Sequence, residues 1–317
     1  MIDTAPGPTP RIAVVGSLNM DLVLQVARAP EAGETVLADR LHLVPGGKGG
    51  NQAVACARQG ASVHLFGRLG DDGYGRTLRA ALEADDIDHT GVQTDLGTTT
   101  GVAAITVEAT GQNRIVVVPG ANGRFVLDAS ALDGALRGAA GLVLQFEIPL
   151  PEVLAAAERA HAAGCQVVLN PSPIQPLPET LWPLLHTLVV NEVEAAALAG
   201  VAVDTPQDAA AAAQALRGRG PAQVVVTLGA AGAVAADADG CRHHPGMLVR
   251  AVDTTAAGDT FLGALAVALA RGESLDAGVR QGIRAAALCV TQHGAQPSIP
   301  TRAAVAQSPQ PPDWIAL

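Results

Sequence analysis

The stretch RIAVVGS, Arg11–Ser17, decides the fold class. It is a short apolar run that stops at a glycine and a serine, which is typical of a strand buried on both faces of a parallel sheet. Short β-branched runs recur along the chain and alternate with alanine-rich helical patterns, which predicts an α/β protein with a Rossmann-like doubly wound sheet flanked by helices. The further predicted strands are 62–69, 142–146, 167–170, 188–190 and 224–228, and the predicted helices are 51–59, 74–84, 151–163, 192–199, 208–219, 259–270 and 275–290.

Two segments interrupt this alternation. Residues 21–44 are interpreted as a pair of strands (LVLQV and ETVLADRLHLV), and residues 98–119 as a hairpin that turns at 110–113. Either these strands form a small separate β-sheet that acts as a lid, from about 19–45 and 98–120, or they extend the main sheet. The expected organisation is one domain over 11–305, between loose tails at 1–10 and 306–317.

Composition excludes several classes of protein. Of the 317 residues, 49% are hydrophobic and 16% are charged, which excludes a disordered chain. The formal charge of -10 argues against nucleic-acid partners and against an anionic membrane surface, so small molecules are the expected ligands. The longest apolar stretch, 261–270, is half of a bilayer span, and the start MIDTAPGPTPR lacks an export pattern, so we expect a cytoplasmic protein. The four separated cysteines are expected to be buried apolar thiols.

The segment PGGKGGNQA, residues 45–53, contains Lys48, the only lysine among 20 basic residues. A lysine kept in an arginine-rich chain indicates either a need for a compact ammonium group or chance. The segment is not a Walker A loop, because a glycine follows the lysine. Its glycines permit close approach of the backbone to a ligand, or simply make a tight turn.

A second segment, AVDTTAAGDTF at residues 251–261, places small residues at the start of a predicted helix. The exposed N–H groups of Ala256, Ala257 and Gly258, together with the helix dipole, are suited to bind an anion. Asp259 is then either a helix cap or a general base that takes a hydroxyl proton during phosphoryl transfer.

Polar side chains also follow the predicted strands. Asn19 and Asp21 lie at positions i and i+2, so they share a face and could hold a vicinal diol. Further polar residues and glycines follow the later strands, and parallel strands bind ligands at this carboxyl edge. These include Gln145, Glu147, Asn170, Asn191, Glu194, Thr227 and Gly229.

The motifs GSLNMD, PGGKGGNQA, NEVE, VTLG, AVDTTAAGDTF and HGAQPS stand in the order and spacing of the ribokinase (PfkB) family of sugar kinases. The chain resembles this family from about Arg11 to Thr301. The resemblance implies ATP-dependent phosphorylation of the 5-hydroxyl of D-ribose, with Asp259 as the base and an anion hole at Ala256, Ala257 and Gly258. The implied sugar residues are Asn19, Asp21, Gly46, Gly47, Lys48, Asn51, Glu147 and Asp259, and the implied nucleotide residues are Asn191, Glu194, Thr227, Gly229 and Gly258.

The resemblance also implies two cations and a second copy of the chain. Glu194 would organise Mg²⁺ through water, and the β lid would form a homodimer contact. A K⁺ ion beside the anion hole would be bound by oxygen atoms, which suit a large hard cation. Those oxygens would come from Asp253, Thr255, Cys289, Gln292, Gly294 and Ser298.

The chain departs from the family pattern at two places. Val189 and Val190 precede Asn191 where relatives often carry Thr-Pro, which makes the strand end beside the nucleotide less certain. Ile283 and Arg284 stand where relatives often carry a polar residue near the adenine, so no base contact is predicted.

Other functions remain open at this stage. They are a PfkB kinase for a nucleoside or another sugar, a non-catalytic sugar-binding protein of this fold, and a dinucleotide oxidoreductase. A nucleoside kinase would need an aromatic platform for the base, and neither lid segment contains an aromatic residue. A sugar-phosphate kinase would need cations near Asn19 and Asp21, and none lies between Arg11 and Arg28. An oxidoreductase would need GxGxxG after the first strand, where VGSLNMD stands instead.

Overall fold

The computed structural model describes residues 9–108 and 112–317. Its strands are β1 (Arg11–Val15), β2 (Asn19–Val26), β3 (Arg40–Gly46), β4 (Ser62–Gly70), β5 (Asp88–Asp95), β6 (Gly101–Glu108), β7 (Asn113–Val118), β8 (Gly141–Leu144), β9 (Gln166–Leu169), β10 (Thr187–Asn191), β11 (Gln223–Thr227), β12 (Ala233–Asp237), β13 (Gly240–His244) and β14 (Ile315–Ala316). Its α-helices are α1 (Lys48–Arg58), α2 (Gly73–Ala84), α3 (Ala129–Leu136), α4 (Leu150–Ala162), α5 (Glu192–Ala199), α6 (Pro206–Arg217), α7 (Ala257–Ala270), α8 (Leu275–Cys289) and α9 (Arg302–Gln307). Short 3₁₀ turns lie at Gly120–Arg124, Trp182–Leu184, Gly229–Ala231 and Gln296–Ser298.

The larger sheet has the strand order β14-β13-β12-β11-β10-β9-β8-β1-β4-β5. The strands from β11 to β5 pair in parallel, and β12, β13 and β14 continue the sheet in antiparallel pairs. The predicted doubly wound sheet is therefore confirmed, with an antiparallel extension that the sequence analysis did not predict.

Alternate residues of the parallel strands belong to two different cores. Ala13 and Val15 pack with α3, α4, α5 and α6 on one face of the sheet. Ile12 and Val14 pack with α1, α2, α7 and α8 on the other face. A strand that is covered on both sides has no solvent face, which is why its sequence is continuously apolar.

The chain changes direction across the sheet at β1. From β1 it proceeds outward to β4 and β5, and it later returns to β8 on the other side of β1. Ligands of doubly wound sheets bind at such a switch point, outside the carboxyl ends of the strands. Here those ends lead into 16–21 after β1 and into 145–147 after β8.

A separate small sheet has the order β3-β2-β6-β7, so the alternative in which these strands extend the main sheet is wrong. The central strands β2 and β6 pair in parallel. The outer strand β3 pairs antiparallel with β2, and the outer strand β7 pairs antiparallel with β6. Residues 34–39 were predicted as part of a strand but lie in an irregular segment, where Leu37 is exposed and gains nothing from strand packing. The predicted turn at 110–113 lies partly outside the described residues.

Helix α1 begins at Lys48, three residues before its predicted start at residue 51. Gly47, at a φ of 82°, precedes the helix, and Gly49 and Gly50 form its first turn. A Cβ on Gly49 would lie 2.6 Å from the backbone of Gly16 and Ser17. These glycines therefore let the helix start against the end of β1, although glycine itself disfavours helices.

The C-terminal segment is not a loose tail as predicted. Its residues Ile315–Ala316 pair with β13, and the Arg280 guanidinium donates hydrogen bonds to the carbonyls of Pro311 and Pro312. At the other end, the predicted tail 1–10 lies mostly outside the described residues. None of the helices within 9–108 and 112–317 is both long and apolar enough to cross a membrane.

Candidate active site

The switch point is occupied by the carboxylate of Glu147, which follows β8. The Ser17 hydroxyl donates a hydrogen bond to Glu147 Oε2 at 2.5 Å, and the Lys48 backbone N–H donates to the same oxygen at 3.1 Å. The N–H of Gly49 donates in turn to the Ser17 hydroxyl at 3.3 Å. The first N–H of α1 and the Ser17 hydroxyl, which follows β1, therefore hold Glu147 in place, and the N–H contact is of the kind that holds anions at helix N-termini.

Asn19 lies on the same side, at the beginning of β2, and its orientation depends on Asn122. The Asn122 Nδ2 group donates to Asn19 Oδ1 at 2.7 Å, while the backbone N–H of Leu18 donates to Asn122 Oδ1 at 2.9 Å. This leaves the Asn19 amide nitrogen as a donor, 3.5 Å from Glu147 Oε2. Asn122 is buried and orients a predicted sugar residue, and the sequence analysis missed it.

Asp21 lies two residues further along β2 and is buried. Its carboxylate accepts no hydrogen bond from any residue that the structure describes. Burial, with smaller effects from the charges of Glu147 and Asp259, raises the pKa of Asp21 to about 7. Gly46 lies beside it, and any Cβ there would overlap the Asp21 carboxylate. An unpaired buried acceptor is costly, so its natural partner is a ligand with hydroxyl donors.

Asp259 lies in the first turn of α7 and is held by two neighbouring side chains of α1. The Asn51 amide donates to Asp259 Oδ2 at 3.0 Å, and the Gln52 amide donates to Oδ1 at 2.9 Å. All three side chains are buried, and the carbonyl oxygens of both amides have no partner among the described residues. Each carboxylate oxygen keeps further acceptor capacity for a ligand. Gln52 was quoted in a motif but not predicted as a site residue.

The N-terminus of α7 has the backbone geometry of an anion site. Ala256 adopts a φ of 60°, a strained conformation for a residue with a Cβ and one that tends to occur at functional sites. The N–H of Ala257 donates to the carbonyl oxygen of Thr254 at 3.2 Å, whereas the N–H of Gly258 has no backbone partner in the described part of the chain. The Gly258 amide and the helix dipole are thus available to an anion.

A cavity of about 240 Å³ lies in front of this helix start. It is lined by Lys48, Asp259 and Glu194, and Thr227 and Gly258 form part of its wall. Burial lowers the pKa of Lys48, but the charges of Asp259, Glu147 and Glu194 outweigh burial and raise it. The ammonium group is therefore charged, and Lys48 lines this cavity together with Asp259.

Asn191 and Glu194 form a capping box at the start of α5. The Glu194 N–H donates to Asn191 Oδ1 at 2.8 Å, and the Asn191 N–H donates to Glu194 Oε2 at 3.0 Å. Asn170 also donates to Glu194 Oε2, at 3.4 Å. The N-x-x-E pattern thus has a structural role, while both residues still line the cavity.

The six residues predicted to bind K⁺ come together beside α7. Thr255 donates its N–H and its hydroxyl to Asp253 Oδ1, at 2.9 and 2.6 Å, and Gly294 donates its N–H to Oδ2 at 2.9 Å. Burial raises the pKa of Asp253, but these hydrogen bonds outweigh burial and hold the pKa below its ordinary value.

The remaining members of this group surround the end of α8. The Cys289 thiol lies 3.1 Å from the Ser298 hydroxyl and 3.7 Å from the carbonyl oxygen of Thr255, and the Gln292 N–H donates to the Cys289 carbonyl at 3.1 Å. Apart from this weak thiol contact, the Thr255 carbonyl has no donor among the described residues. An under-satisfied carbonyl beside an ionised aspartate fits a monovalent cation bound by oxygen atoms.

Two larger cavities adjoin the site. A cleft of about 420 Å³ separates the small sheet from the body, with Asp21 and His42 on one side and Asp253 and His293 on the other. A second cavity of about 450 Å³ extends the helix-start cavity between β11 and α8 and is lined mainly by apolar residues. Its lining includes the implied nucleotide residues Thr227, Gly229 and Gly258, and also Phe261 and Ile283, for which no ligand contact was predicted because they have the apolar pattern of core residues.

The chain matches the model of the pfkB family of carbohydrate kinases over residues 9–302. It is 40% identical over 292 residues to the ribokinase of Haemophilus influenzae, covering 92% of this chain and 95% of that protein. It is 36% identical over 295 residues to a deoxyribokinase of Salmonella typhimurium, covering 92% of this chain and 95% of that protein.

Among solved structures, it is similar to the ribokinase of Arabidopsis thaliana complexed with ribose and ATP. That comparison has a TM-score of 0.88 and 32% identity, and it covers 95% of this chain and 98% of the other. The fold, the order of the motifs and these relatives all indicate the same family. The protein is a member of the pfkB family of carbohydrate kinases.

Proposed function

We propose that the protein transfers the γ-phosphoryl group of ATP to the 5-hydroxyl of D-ribose. The observation that carries the proposal is the position of Asp259, which is held by Asn51 and Gln52, lies close enough to Asp21 to raise its pKa, and lines the cavity at the start of α7. A carboxylate between the proposed sugar residues and an anion site is what phosphoryl transfer to a hydroxyl requires. The ribokinase relatives and the ribose-bound ribokinase structure support the same activity.

The sugar is held by side chains from both sheets. Asp21 accepts hydrogen bonds from two neighbouring hydroxyls of ribose, and Asn19 and Asn51 donate to its oxygens. Glu147 faces them from the end of β8, and Gly46 and Gly47 allow the ring to approach the backbone. Because Asn19, Asp21 and Asn51 are buried, a sugar that leaves one of them unpaired binds poorly.

Asp259 takes the proton of the 5-hydroxyl as that oxygen attacks the γ-phosphorus; the bond from this phosphorus to the β–γ bridging oxygen breaks, and ADP leaves. The charge that develops on the phosphoryl oxygens faces the N–H of Gly258, the start of α7 and the Lys48 ammonium group. These donors are in place before the reaction, so they stabilise the transition state without reorganisation. Asn191, Thr227 and Gly229 line the path of the remaining phosphates and the nucleoside.

Mg²⁺ would be held on this path through the phosphates of ATP and a water bound to Glu194. One carboxylate with substrate phosphates is a common Mg²⁺ arrangement, and Glu194 Oε1, which accepts no hydrogen bond within 9–108 and 112–317, suits it. When bound, Mg²⁺ neutralises charge on the triphosphate.

K⁺ would be held by Asp253 and Ser298 and by the carbonyls of Thr255, Cys289, Gln292 and Gly294. The role of these residues is to fix the turn from Asp253 to Asp259, which carries the strained Ala256. Activity should therefore be higher in K⁺ than in Na⁺ at equal ionic strength, and equal activity in both would remove this role.

The small sheet acts as a lid over the sugar and as a dimer contact with a second copy of the chain. Its outer strands expose Leu41 and Leu43 on β3 and Val116 and Val118 on β7, which share one face of the sheet and each have at least half of their surface accessible. Such an apolar patch on a sheet is typical of a protein–protein contact. Sedimentation of the wild type beside Val116→Glu would test the dimer.

The four cysteines are free and buried, which agrees with a reducing compartment and with the proposed cytoplasmic location. No nucleic-acid or membrane partner is proposed.

The decisive experiment is a panel of sugars with ATP and Mg²⁺, read by the mass of the phosphorylated product. We expect phosphorylation of D-ribose in preference to adenosine and fructose 6-phosphate. The panel includes 2-deoxyribose because deoxyribokinases are among the relatives, and the unpaired Asp21 carboxylate favours ribose over this sugar. A higher kcat/KM for adenosine, fructose 6-phosphate or 2-deoxyribose would overturn the proposal.

A further inference from the structure

We propose that this kinase does not discriminate between purine bases in its phosphate donor, and accepts ATP, GTP and ITP with similar efficiency. The inference rests on the proposed function and deepens it by naming the donor class. It comes from the cavity between β11 and α8, which continues from the anion site at the start of α7.

The two connected cavities divide the nucleotide site into two ends. Thr227, Thr254, Ala257 and Gly258 line both cavities, so the phosphates lie where the cavities meet. The larger cavity extends from there past Phe261 to Ile283 on α8. That far end has the position and the volume for the base.

Among the residues that the structure describes, none presents a polar side chain at the base end. The only hydroxyl groups that line the larger cavity belong to Thr227 and Thr254, and both residues are at the shared phosphate end. The rest of the lining consists of glycine, alanine and apolar side chains, and includes Met247, Leu248 and Ile283.

The polar residues of α8 are engaged elsewhere. The Arg284 guanidinium, adjacent to Ile283 in the chain, donates to the Ser308 carbonyl at 2.5 Å and to the Ala306 carbonyl at 3.2 Å. Gln281 donates to Glu273 at 2.5 Å. Neither side chain lines the cavity, so α8 offers the base only its apolar face.

Adenine, guanine and hypoxanthine differ in the hydrogen-bonding groups on their edges and share the same ring faces. Apolar walls stabilise all three by removing the ring faces from water, whereas strong selection requires polar side chains that the wrong base leaves unpaired. The backbone of the loop 246–251 offers N–H and C=O groups alike, so it can pair with either edge pattern. The triphosphate, which is common to all three donors, therefore dominates recognition.

The test measures kcat/KM for ATP, GTP and ITP at saturating D-ribose, with ribose phosphate detected directly by mass. Direct detection avoids coupling enzymes that prefer adenine nucleotides. The ratio of kcat/KM for the best of the three donors to that for the poorest should lie below about ten, the low end of the discrimination that an apolar pocket provides. A larger ratio overturns the inference, while failure of every donor to phosphorylate ribose overturns the proposed function instead.

Two variants at one position sharpen the test. Ile283→Asn places an amide at the base end and should change the ATP to GTP ratio by about tenfold or more. Ile283→Val keeps the wall apolar and should leave the ratio at the wild-type value. An unchanged ratio in a folded Ile283→Asn protein, with the fold checked by its Tm, would show that the base does not contact this wall and would overturn the inference.

Discussion

The two ends of the active site are built on opposite principles. At the proposed sugar end, the side chains of Asp21, Asn51 and Asp259 are buried, and they are either hydrogen-bonded to one another or left open to a ligand. At the base end, the walls are apolar. The difference teaches that specificity is concentrated where buried polar groups would be left unpaired by the wrong ligand, because apolar walls distinguish ligands weakly.

The largest effect is expected from Asp259→Asn, which removes the base and keeps the shape of the site. The variant should lower kcat by about 10²–10⁴-fold and leave binding of ribose and ATP within a few fold. Single-turnover measurements under conditions where chemistry limits the rate would check this. Asp133→Asn, at a surface ion pair with Arg159, serves as the control and should retain the wild-type kcat. An Asp259→Asn enzyme with more than a tenth of the wild-type kcat would contradict the role.

A smaller effect is expected from Asp21→Ala, which tests whether the sugar end selects by an unpaired acceptor. In the wild type, 2-deoxyribose leaves one acceptor position of Asp21 without a donor, which should cost about 5- to 150-fold in kcat/KM. The variant should lose activity with ribose and bring the ratio of ribose to deoxyribose toward one. Its Tm separates this result from unfolding. Full preference for ribose in the variant would show that another group recognises the 2-hydroxyl.

Much of this arrangement was predictable from the sequence because its causes are local. Strands buried on both faces must be continuously apolar, and the glycines of 45–50 and the AAGD turn indicate where the backbone meets a ligand. The antiparallel strands β12 and β13 were missed because their sequences, AVAAD and GCRHH, contain few β-branched residues.

The parts of the site that were missed depend on contacts between distant segments. Asn122 meets Asn19 across 103 positions of the chain, and Gln52 meets Asp259 across 207. No local pattern predicts such pairs. The only signal was that Gln52 is a polar residue next to Asn51 in a helix that is otherwise covered by the core.

Gln52 provides a third comparison, between neighbouring residues of α1. Gln52 contacts Asp259 and is not among the groups proposed for the sugar, so it is a positioning residue. Asn51 also contacts Asp259, but it is proposed to bind the sugar as well. Gln52→Met removes a hydrogen bond to a charged group and should lower kcat by about tenfold while KM for ribose stays constant. Asn51→Ala should raise that KM.

The matched control for this variant is Gln59→Met. Gln59 is also buried and donates to the Pro300 carbonyl at 2.9 Å, away from the site. If Gln52 had only a structural role, both substitutions would lower the Tm, and Gln52→Met would have the same kcat as Gln59→Met. That result would contradict a positioning role for Gln52.

The smallest effect concerns pH, and it arises at the sugar end because the base end carries no titratable side chain. The pKa of Asp21 is raised to about 7, so lowering the pH through 7 protonates the carboxylate that accepts from ribose. Between pH 7.5 and 6.5 the ionised fraction falls about threefold, and kcat/KM for ribose should fall with it. The loss should be smaller for 2-deoxyribose, which uses the carboxylate less and shares every other titrating group, so the ratio of the two sugars should fall toward acid pH.

Asp21→Asn isolates this titration. In the variant, the ratio of ribose to deoxyribose should be independent of pH over the same range. The folded-state pKa of Asp21 lies above its ordinary value of 3.8, so ionisation destabilises the fold increasingly as the pH rises from about 4 to about 7 and fully above it. The variant should therefore gain more in Tm at pH 8 than at pH 5. If the ratio of the sugars kept its pH dependence in Asp21→Asn, the titrating group would lie elsewhere, and the sugar end would not owe its selectivity to this carboxylate.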